Sequence, residues 1–335
     1  MANRIGESTV NFCGRPSIIG YGSVVGKKEM EGPLSGEFAT YDFDSRFGED
    51  SFEKAESRMQ KIAVQTALRK CLKSEKDVDI IFAGDLLNQC VGSSFGLRGM
   101  GIPFSGIYGA CSTMTLGLIL AAVCVDSCVA DIAAAVTSSH FCSAERQYRY
   151  PLEYGSVRPQ SSQWTVTGSG ASIISKSDNK PYIDKAVFGK IVDLGVKDAN
   201  NMGAAMAPSA ASTLIAFFED TSTVPEDYDM IFTGDLGYVG TELLYILTEQ
   251  NGYNIRNNHN DCGLMIFNRK SQDVHAGGSG CGCSASVLNS YVMHRFEDGT
   301  YKNVLFMSTG ALLSPTSIMQ GESIPGISHL VNIRI

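Results

Sequence analysis

The sequence predicts an α/β protein built from two duplicated halves, residues 1–192 and 193–335. The octapeptide DIIFAGDL at residues 79–86 returns as DMIFTGDL at residues 229–236. Around each copy the pattern predicts the same order: helix, strand ending in Gly-Asp, helix, strand, Gly- and Cys-containing turn, helix, strand. One shared octapeptide would be a weak signal, but a shared octapeptide inside a shared order of elements indicates duplication.

The first half opens with a predicted strand over residues 16–26 and a predicted helix over residues 52–72. Ala55, Met59 and Ala63 lie on one face of that helix, because apolar residues recur there at steps of three and four. The other predicted elements are a strand over 78–83, a short helix over 93–98, a strand over 104–108, a long buried helix after the turn at 109–111, and a strand over 131–137.

The second half repeats this order and ends with a predicted strand over residues 303–308, before a turn at Gly310. Two long segments break the symmetry, an inserted loop over 138–168 and a connecting segment over 193–208, and long irregular segments in compact domains are often functional. The other predicted elements are a helix over 209–218, a strand over 230–233, a helix over 240–248, a strand over 262–267, a turn over 277–283 and a helix over 284–295.

The composition is that of a well-buried globular chain. Its 335 residues are too many for one ordinary core, and 44% of them are hydrophobic while 19% are charged. The formal net charge of -8 argues against a dominant role in binding nucleic acid, which needs a basic surface. We therefore expect no nucleic-acid partner.

The sequence also predicts a soluble protein with reduced cysteines. The N-terminus has no apolar core of the kind that a signal peptide needs. Asp126 and Asp131 interrupt the apolar run over residues 116–136, whose uninterrupted part of about 10 residues falls short of the about 20 that a membrane-spanning helix needs. The 10 cysteines sit mostly in apolar runs and lack zinc-site spacing, so we expect buried thiols and no metal site formed by cysteines.

The ends of the predicted strands indicate where a ligand would bind. The strands read as continuous apolar runs, which is typical of parallel sheets buried on both faces. In such sheets ligands gather beyond the carboxyl ends of the strands. The residues that this places in one neighbourhood are Gly84, Asp85, Cys111, Ser138 to His140, Asp235, Gly280 to Cys283 and Gly310.

Cys111 is the leading candidate for chemistry. It follows a Gly-Ala turn and opens a helix, where the helix dipole and backbone N–H groups favour a thiolate and can hold an oxyanion. The alternative is a buried structural cysteine. His140 is the second candidate, as a partner of Cys111 or as a donor to a bound carboxylate, with a hydrogen-bonded structural histidine as the alternative.

The inserted loop carries Arg146, Arg149 and Arg158, close in sequence to Tyr148, Tyr150 and Trp164. Arginine matches a carboxylate with two donors, and an aromatic side chain stacks on a flat ring, so the loop would suit a planar aromatic dicarboxylate. The alternative is a loop packed by its own aromatic residues, with solvated arginines.

Asp85 and Asp235 are candidate ligands for Ca²⁺ accompanying such an anion, and the alternative is that each caps its own turn.

The turn GACST at residues 109–113 resembles the nucleophile turn of the thiolase superfamily, near its β-ketoacyl-ACP synthase III branch. The two halves agree with the thiolase-like five-layer α-β-α-β-α fold that this resemblance implies. Longer segments resemble the stage V sporulation protein AD family over nearly the whole chain. These are AGDLLNQ (83–89), TSSHFCSAERQYRYP (137–151), TVTGSGA (165–171), MGAAMAP (202–208), AGGSGCGCSA (276–285) and STGALLSPT (308–316).

The resemblance carries over only one of the three catalytic residues of the synthases, which use Cys, His and Asn. Cys111 matches the cysteine, whereas Asp235 stands at the position of the histidine and Cys281 at that of the asparagine. Decarboxylative condensation needs neutral donors that stabilise an enolate, and an ionised carboxylate would repel that charge. The resemblance therefore argues against ketoacyl synthase chemistry.

The family resemblance implies a protein that binds dipicolinic acid (pyridine-2,6-dicarboxylate), or its calcium chelate, for uptake into the developing spore. It implies membrane proteins of the same transport system as partners, a peripheral position at the spore inner membrane, and a homodimer. The alternatives are an acyltransferase with Cys111 as nucleophile and His140 as base, and a purely structural partner of a membrane complex. The expected ligand-binding residues are Asp85, Cys111, His140, Arg146, Arg149, Asp235 and Cys281.

Overall fold

The backbone forms a large mixed sheet, described here from a computed structural model that covers residues 2–148, 157–178 and 180–335. The strands are β1 (Asn3–Ile5), β2 (Thr9–Asn11), β3 (Pro16–Val25), β4 (Thr40–Tyr41), β5 (Ile80–Gly84), β6 (Phe104–Gly106), β7 (Ile132–Ser139), β8 (Trp164–Thr165), β9 (Gly168–Lys176), β10 (Tyr182–Val187), β11 (Met230–Thr233), β12 (His259–Asp261), β13 (Gly278–Ser279), β14 (Asn303–Ala311) and β15 (Gly326–Arg334).

Helices lie on both faces of this sheet. They are α1 (Lys27–Met30), α2 (Phe52–Lys70), α3 (Val91–Leu97), α4 (Thr113–Asp126), α5 (Phe141–Tyr148), α6 (Met202–Thr221), α7 (Gly237–Gln250), α8 (Cys262–Met265), α9 (Cys281–Val287), α10 (Met293–Glu297) and α11 (Pro315–Met319). None of the helices described is both long enough and apolar enough to cross a membrane.

The strand order shows the duplication directly. One half-sheet runs β6-β5-β7-β9-β3, and the other runs β12-β11-β14-β15-β10 in the same pattern. In each, the first three strands are parallel and the next two are antiparallel to their neighbours. The half-sheets join where β10 meets β3, at the pair Tyr182 and Ser17.

Five layers follow from the positions of the helices. Helices α4 and α9 contact strands of both half-sheets, so they form the middle layer. Most residues of α4 are buried, as expected of a helix that is apolar on nearly all sides. Helices α2 and α3 cover the outer face of the first half-sheet, and α6, with α7 packed on it, covers that of the second. The predicted α-β-α-β-α fold is confirmed.

Several predicted elements are wrong. Residues 262–267 do not form a strand, because β12 ends at Asp261 and that carboxylate accepts a hydrogen bond from the Leu264 amide, capping α8. Gly310 lies within β14 and not after it, and β15 pairs along that strand. The half-sheets are mixed, and not purely parallel.

Strand β9 was missed because its residues are small where the middle layer approaches. A side chain at Gly170 would place its Cβ 2.1 Å from the Ala285 carbonyl oxygen of α9. Glycine is therefore required for the close contact, and it conceals the apolar pattern that identifies other strands.

The inserted segment is more regular than the predicted loop. It continues β7 to Ser139, adds helix α5, and returns as β8, which pairs with β13 beside α9. The division of the halves at residues 192 and 193 stays a prediction, and the pairing of β10 with β15 favours a division ahead of β10.

Candidate functional site

The turn that carries Cys111 lies between β6 and α4 and is held by its own polar groups. The Ser112 hydroxyl donates to the Gly109 carbonyl oxygen at 2.6 Å, and the Thr113 hydroxyl donates to the Ala110 carbonyl oxygen at 2.6 Å. Ala110 has a positive φ of 50°, a conformation that costs a residue with a side chain some energy. The turn places Cys111, which is only 6% exposed, just ahead of the helix.

Strand β14 of the second half closes against this turn at Gly310. A Cβ at Gly310 would lie 2.5 Å from the Gly109 carbonyl oxygen and 3.2 Å from the Cys111 nitrogen. The two halves therefore meet at the candidate nucleophile, as the sequence predicts for the carboxyl ends of the strands.

Asp235 lies at the end of β11 and is fully buried beside Cys111. Its carboxyl group accepts hydrogen bonds from the Gly280 amide at 2.8 Å and the Thr309 hydroxyl at 2.8 Å, and it is hydrogen-bonded to the Cys111 side chain. Burial raises the pKa of Asp235 to about 7, although these hydrogen bonds oppose the shift. The group next to Cys111 is thus a carboxyl that holds a proton near neutral pH.

Cys281 begins α9 and packs with Cys111, Leu86 and Ala144 in one small buried cluster. Its thiol donates to the Ser138 carbonyl oxygen at 2.9 Å. Burial raises the pKa of Cys281 well above its usual value, and the nearby thiol of Cys111 acts in the same direction. Cys281 is therefore a neutral thiol, as its burial dictates.

Asp85 is buried, and its carboxyl group accepts hydrogen bonds from the residues that follow it in the chain. One carboxyl oxygen accepts from the Leu87 amide at 2.8 Å, and the other accepts from the amide and the hydroxyl of Ser93 at 2.7 and 2.5 Å. This arrangement corresponds to the capping alternative. Burial raises the pKa of Asp85, and the same is true of Glu56, whose pKa the charge of Asp85 also raises.

The cavity in front of Cys111 has a volume of about 30 Å³, which is room for one or two water molecules. We call it the Cys111 cleft. Residues of both halves and of the inserted segment line it: Leu86, Tyr108, Ala110, Cys111, Ala144, Thr165, Met202, Ser279, Ala311 and Leu313.

His140 lies elsewhere and does not pair with Cys111. Its Nε2 is 2.6 Å from the Ser45 carbonyl oxygen, and its Nδ1 accepts from the Cys142 amide at 3.2 Å. Its ring packs against Phe52 with the centroids 5.3 Å apart. Burial lowers the pKa of His140, so the ring is neutral, and its contacts are those of a structural histidine.

The predicted arginine cluster does not line the Cys111 cleft in the part of the chain that is described. Arg146 is exposed and pairs with Glu53 at 3.4 Å, while Arg149 lies outside the described residues. Arg158 pairs with Asp273 at 3.0 Å and lies 4.8 Å from the centre of the Trp164 ring. Within the described ranges, no group of three or more His, Cys, Asp or Glu side chains is arranged to hold a metal ion.

Sequence reasoning missed two polar residues of helix α2 that support the site from behind. Glu56 accepts from the hydroxyls of Ser138 and Ser143 at 2.9 and 2.7 Å, and Gln60 donates to the Gly84 carbonyl oxygen at 2.9 Å. A Glu and a Gln four residues apart, beside the apolar face of the predicted helix, were the available signal. Their bonds fix the ends of β5 and β7.

A model of the family described as stage V sporulation protein AD (SpoVAD) matches residues 6–334. This chain belongs to that family. The stage V sporulation protein AD of Bacillus subtilis (strain 168) is 44% identical over 309 residues, which cover 92% of this chain and 91% of that protein. The sporulation family that the sequence motifs resemble is thereby confirmed.

Solved structures of other proteins have the same fold as this chain. The 3-oxoacyl-[acyl-carrier-protein] synthase III of Aquifex aeolicus VF5 has a TM-score of 0.58 at 14% identity, over 96% of this chain and 100% of that chain. A variant of OleA from Xanthomonas campestris has a TM-score of 0.62 at 14% identity, over 96% and 97%. At such identity the likeness shows the thiolase-like fold alone.

We expect the stability of the protein to fall as the pH rises through neutrality. The pKa of Asp235 is raised from 3.8 to about 7 in the folded state, so its contribution is present at low pH and is lost above about pH 7. Most of this loss occurs between about pH 4 and 7, and about 0.8 kcal/mol of the free energy of unfolding remains to be lost between about pH 6.5 and 8.5. Urea denaturation at the two pH values measures it.

Asp235→Asn is the control, because it removes the titrating group. The decrease in the free energy of unfolding with rising pH should be smaller in this variant than in the wild type. Buried His259 and His329 act in the opposite sense, because their pKa values are lowered from 6.5 to about 3 and about 4. Their effect reaches the lower end of this pH range, but it is the same in the wild type and in the variant. An unchanged slope in the variant would show that Asp235 is not the source.

Proposed function

We propose that this sporulation protein binds dipicolinic acid, pyridine-2,6-dicarboxylate, or its calcium chelate in the Cys111 cleft, and serves its uptake into the developing spore. The observation that carries the proposal is the environment of Cys111. Its thiol is hydrogen-bonded to the buried carboxyl of Asp235 and packed with Cys281. A site whose cysteine lies beside a buried carboxyl and a second thiol, without the histidine and asparagine of the synthases, suits binding an anion better than forming carbon–carbon bonds.

Asp235 lies behind the Cys111 thiol and does not line the cleft, and when protonated it adds no charge that would repel the ligand. Backbone N–H groups at the start of α4 add favourable partial charge for a carboxylate at the same place. Residues of both halves line the cleft, which supports recognition of a ligand with a carboxylate at each end.

Entry of the ring requires the lining side chains to move, because about 30 Å³ is far less than the volumes of about 300 Å³ and more that are usual for ligand pockets. Tyr108 is 46% exposed, which makes it the most exposed of the large lining side chains. Asp85 already accepts three hydrogen bonds, so we propose that Ca²⁺, where present, stays with the carboxylates of the ligand.

Calorimetric titration of the protein with dipicolinate, with and without Ca²⁺, tests the proposal. We expect saturable heat with one equivalent at the cleft and a higher melting temperature. Benzene-1,3-dicarboxylate, which lacks the ring nitrogen, is the matched control and should bind more weakly. If neither form of the ligand gives heat or a thermal shift, the proposal is wrong.

A second candidate function, acyl transfer, rests on the position of Cys111 at a turn that opens α4. Against it, His140 points to Ser45 and Phe52 and cannot serve Cys111 as a base without moving. The mass of the intact protein after incubation with acyl-CoA separates the two functions. An acyl adduct mapped to Cys111 would favour the transferase.

We also propose that the protein docks to membrane proteins of the same transport system at the spore inner membrane. We further propose that it forms a homodimer through β6. Strand β6 ends the first half-sheet, and apolar side chains near this edge are exposed, Phe95 by 56% and Phe104 by 43%. An edge strand with exposed apolar residues favours pairing with a second copy. Sedimentation equilibrium should give twice the chain mass, and a monomer at micromolar concentration would contradict the dimer.

A further inference from the structure

A second, larger pocket shares helix α5 and strand β8 with the Cys111 cleft. Thr165 lines the cleft while its neighbour Trp164 lines this pocket, and successive residues of a strand point to opposite sides. Its volume of about 350 Å³ is in the range of small-molecule sites, about 300–1,000 Å³. We call it the Lys28 pocket. Its lining includes Gly26, Lys28, Glu29, His140, Phe141 and Trp164.

One cation in this pocket forms no ion pair with the residues that the structure describes, although Asp273, Glu29 and Glu31 lie near enough to act on its charge. The Lys28 ammonium lies 3.9 Å from the centre of the Trp164 ring, and no carboxylate of the described residues forms an ion pair with it. Its neighbours are already paired, Lys27 with Glu31 at 3.9 Å and Arg158 with Asp273 at 3.0 Å. Burial and the positive charge of Arg158 lower the pKa of Lys28. An anion beside Lys28 would offset both the burial of its charge and the repulsion from Arg158.

A buried carboxyl oxygen is the second, independent sign of a ligand. Glu29 is 1% exposed, and its Oε1 accepts from the Thr167 amide at 2.9 Å. Its Oε2 is buried near the backbone N–H groups of Gly26 and Glu29 but forms no well-aligned hydrogen bond with the described residues, since the Gly26 amide donates to the Thr167 carbonyl oxygen. Burial raises the pKa of Glu29 to about 7, so the group carries a proton over much of the neutral range. An unsatisfied buried polar atom is costly and therefore needs an explanation.

The pocket wall is aromatic. Phe141 stacks on Trp164 with the ring centroids 3.9 Å apart and the planes 10° from parallel. This pair presents a rigid apolar edge beside the Lys28 ammonium. His140 adds no charge, because burial lowers its pKa and both ring nitrogens have partners.

We propose that the Lys28 pocket binds a small aromatic monocarboxylate, held between the Lys28 ammonium and the Glu29 carboxyl with its ring against Phe141 and Trp164. One ammonium and one protonated carboxyl match one carboxylate group, as an ion pair and a hydrogen bond. A phosphate dianion would require a second unpaired cation. The site is separate from the Cys111 cleft and does not depend on the function proposed for that cleft.

Binding in the pocket can be followed by tryptophan fluorescence, because Trp164 in its wall is the single tryptophan of the chain. Pyridine-2-carboxylate is the probe, and its titration should give a saturable change in tryptophan emission. Lys28→Met should weaken binding at least about tenfold, the loss of a desolvated charge-assisted contact. Lys73→Met, at an exposed lysine after α2, should bind as the wild type does.

Unchanged binding by Lys28→Met would overturn the proposal, as would an equal emission change with inorganic phosphate, which lacks the ring. Failure of dipicolinate to bind the Cys111 cleft would leave this result untouched, because the emission change reports only on Trp164. The two proposals therefore fail separately.

The pH dependence gives a further test with Glu29→Gln, which stays a hydrogen-bond donor at all pH values. Wild-type binding should weaken as the pH rises through about 7, where Glu29 ionises and repels the carboxylate. The variant should bind without this dependence, and a wild-type profile in it would contradict the role of Glu29. The other titratable or charged groups around the pocket are Lys27, Lys28, Glu31, His140, Cys142, Arg158 and Asp273.

Discussion

Asp235→Ala is expected to lower the free energy of unfolding by about 2–4 kcal/mol and to weaken dipicolinate binding at least about tenfold. The substitution leaves the Gly280 amide and the Thr309 hydroxyl without their shared acceptor in a buried site. It also removes the group that is hydrogen-bonded to Cys111. Urea denaturation and calorimetric titration of the same preparation measure the two effects.

Asp235→Asn is the matched variant and should cost less. Its amide oxygen can still accept from Gly280, and the Thr309 hydroxyl can rotate to accept from the amide nitrogen. If alanine and asparagine gave equal stability and equal binding, the hydrogen bonds of Asp235 would not be what organises the cleft.

Gly310→Ala should lower the free energy of unfolding by about 1–3 kcal/mol and abolish ligand binding in the Cys111 cleft. The added Cβ would lie 2.5 Å from the Gly109 carbonyl oxygen and 3.2 Å from the Cys111 nitrogen. Since both near atoms belong to backbone, the turn must move as a unit and carry Cys111 with it. Chemical denaturation and dipicolinate titration measure the outcome.

Gly99→Ala is the control for this substitution, because a Cβ there meets no atom within 4 Å. It should leave both stability and binding near the wild-type values. Wild-type binding by Gly310→Ala would mean that the position of the Cys111 turn does not determine the site.

The sequence predicts that the Cys111 turn, Asp235 and Cys281 lie together, because their positions follow from where strands end. The two Gly-Asp sequences end β5 and β11, and the duplication then brings the Cys111 turn, Asp235 and Cys281 together. Such a prediction needs only the direction of the chain in each strand and the symmetry of the halves.

The placement of His140 and the arginines could not be predicted in the same way. Helix α5 follows β7 almost immediately, and residues only a few positions apart at this junction line different pockets. Ala144 of that helix lines the Cys111 cleft, whereas His140 at its start lines the Lys28 pocket. Which face of a short helix meets which cavity depends on contacts distant in sequence, such as the bond between His140 and Ser45.

Small residues concealed part of the fold for a related physical reason. Strand β9 is rich in Gly and Ser because α9 packs directly on its backbone, and β12 is polar because Asp261 caps the helix that follows. Hydrophobic periodicity detects apolar faces and does not detect close backbone packing.

A calorimetric titration of wild type and Cys111→Leu with dipicolinate tests the central claim most directly. Leucine fills the space of about 30 Å³ in front of the turn without adding charge, and it also removes the thiol that is hydrogen-bonded to Asp235. We predict saturable binding to the wild type and a loss of affinity of at least about tenfold in the variant, with the fold intact by circular dichroism. Equal affinity in the two proteins would show that dipicolinate does not occupy the Cys111 cleft.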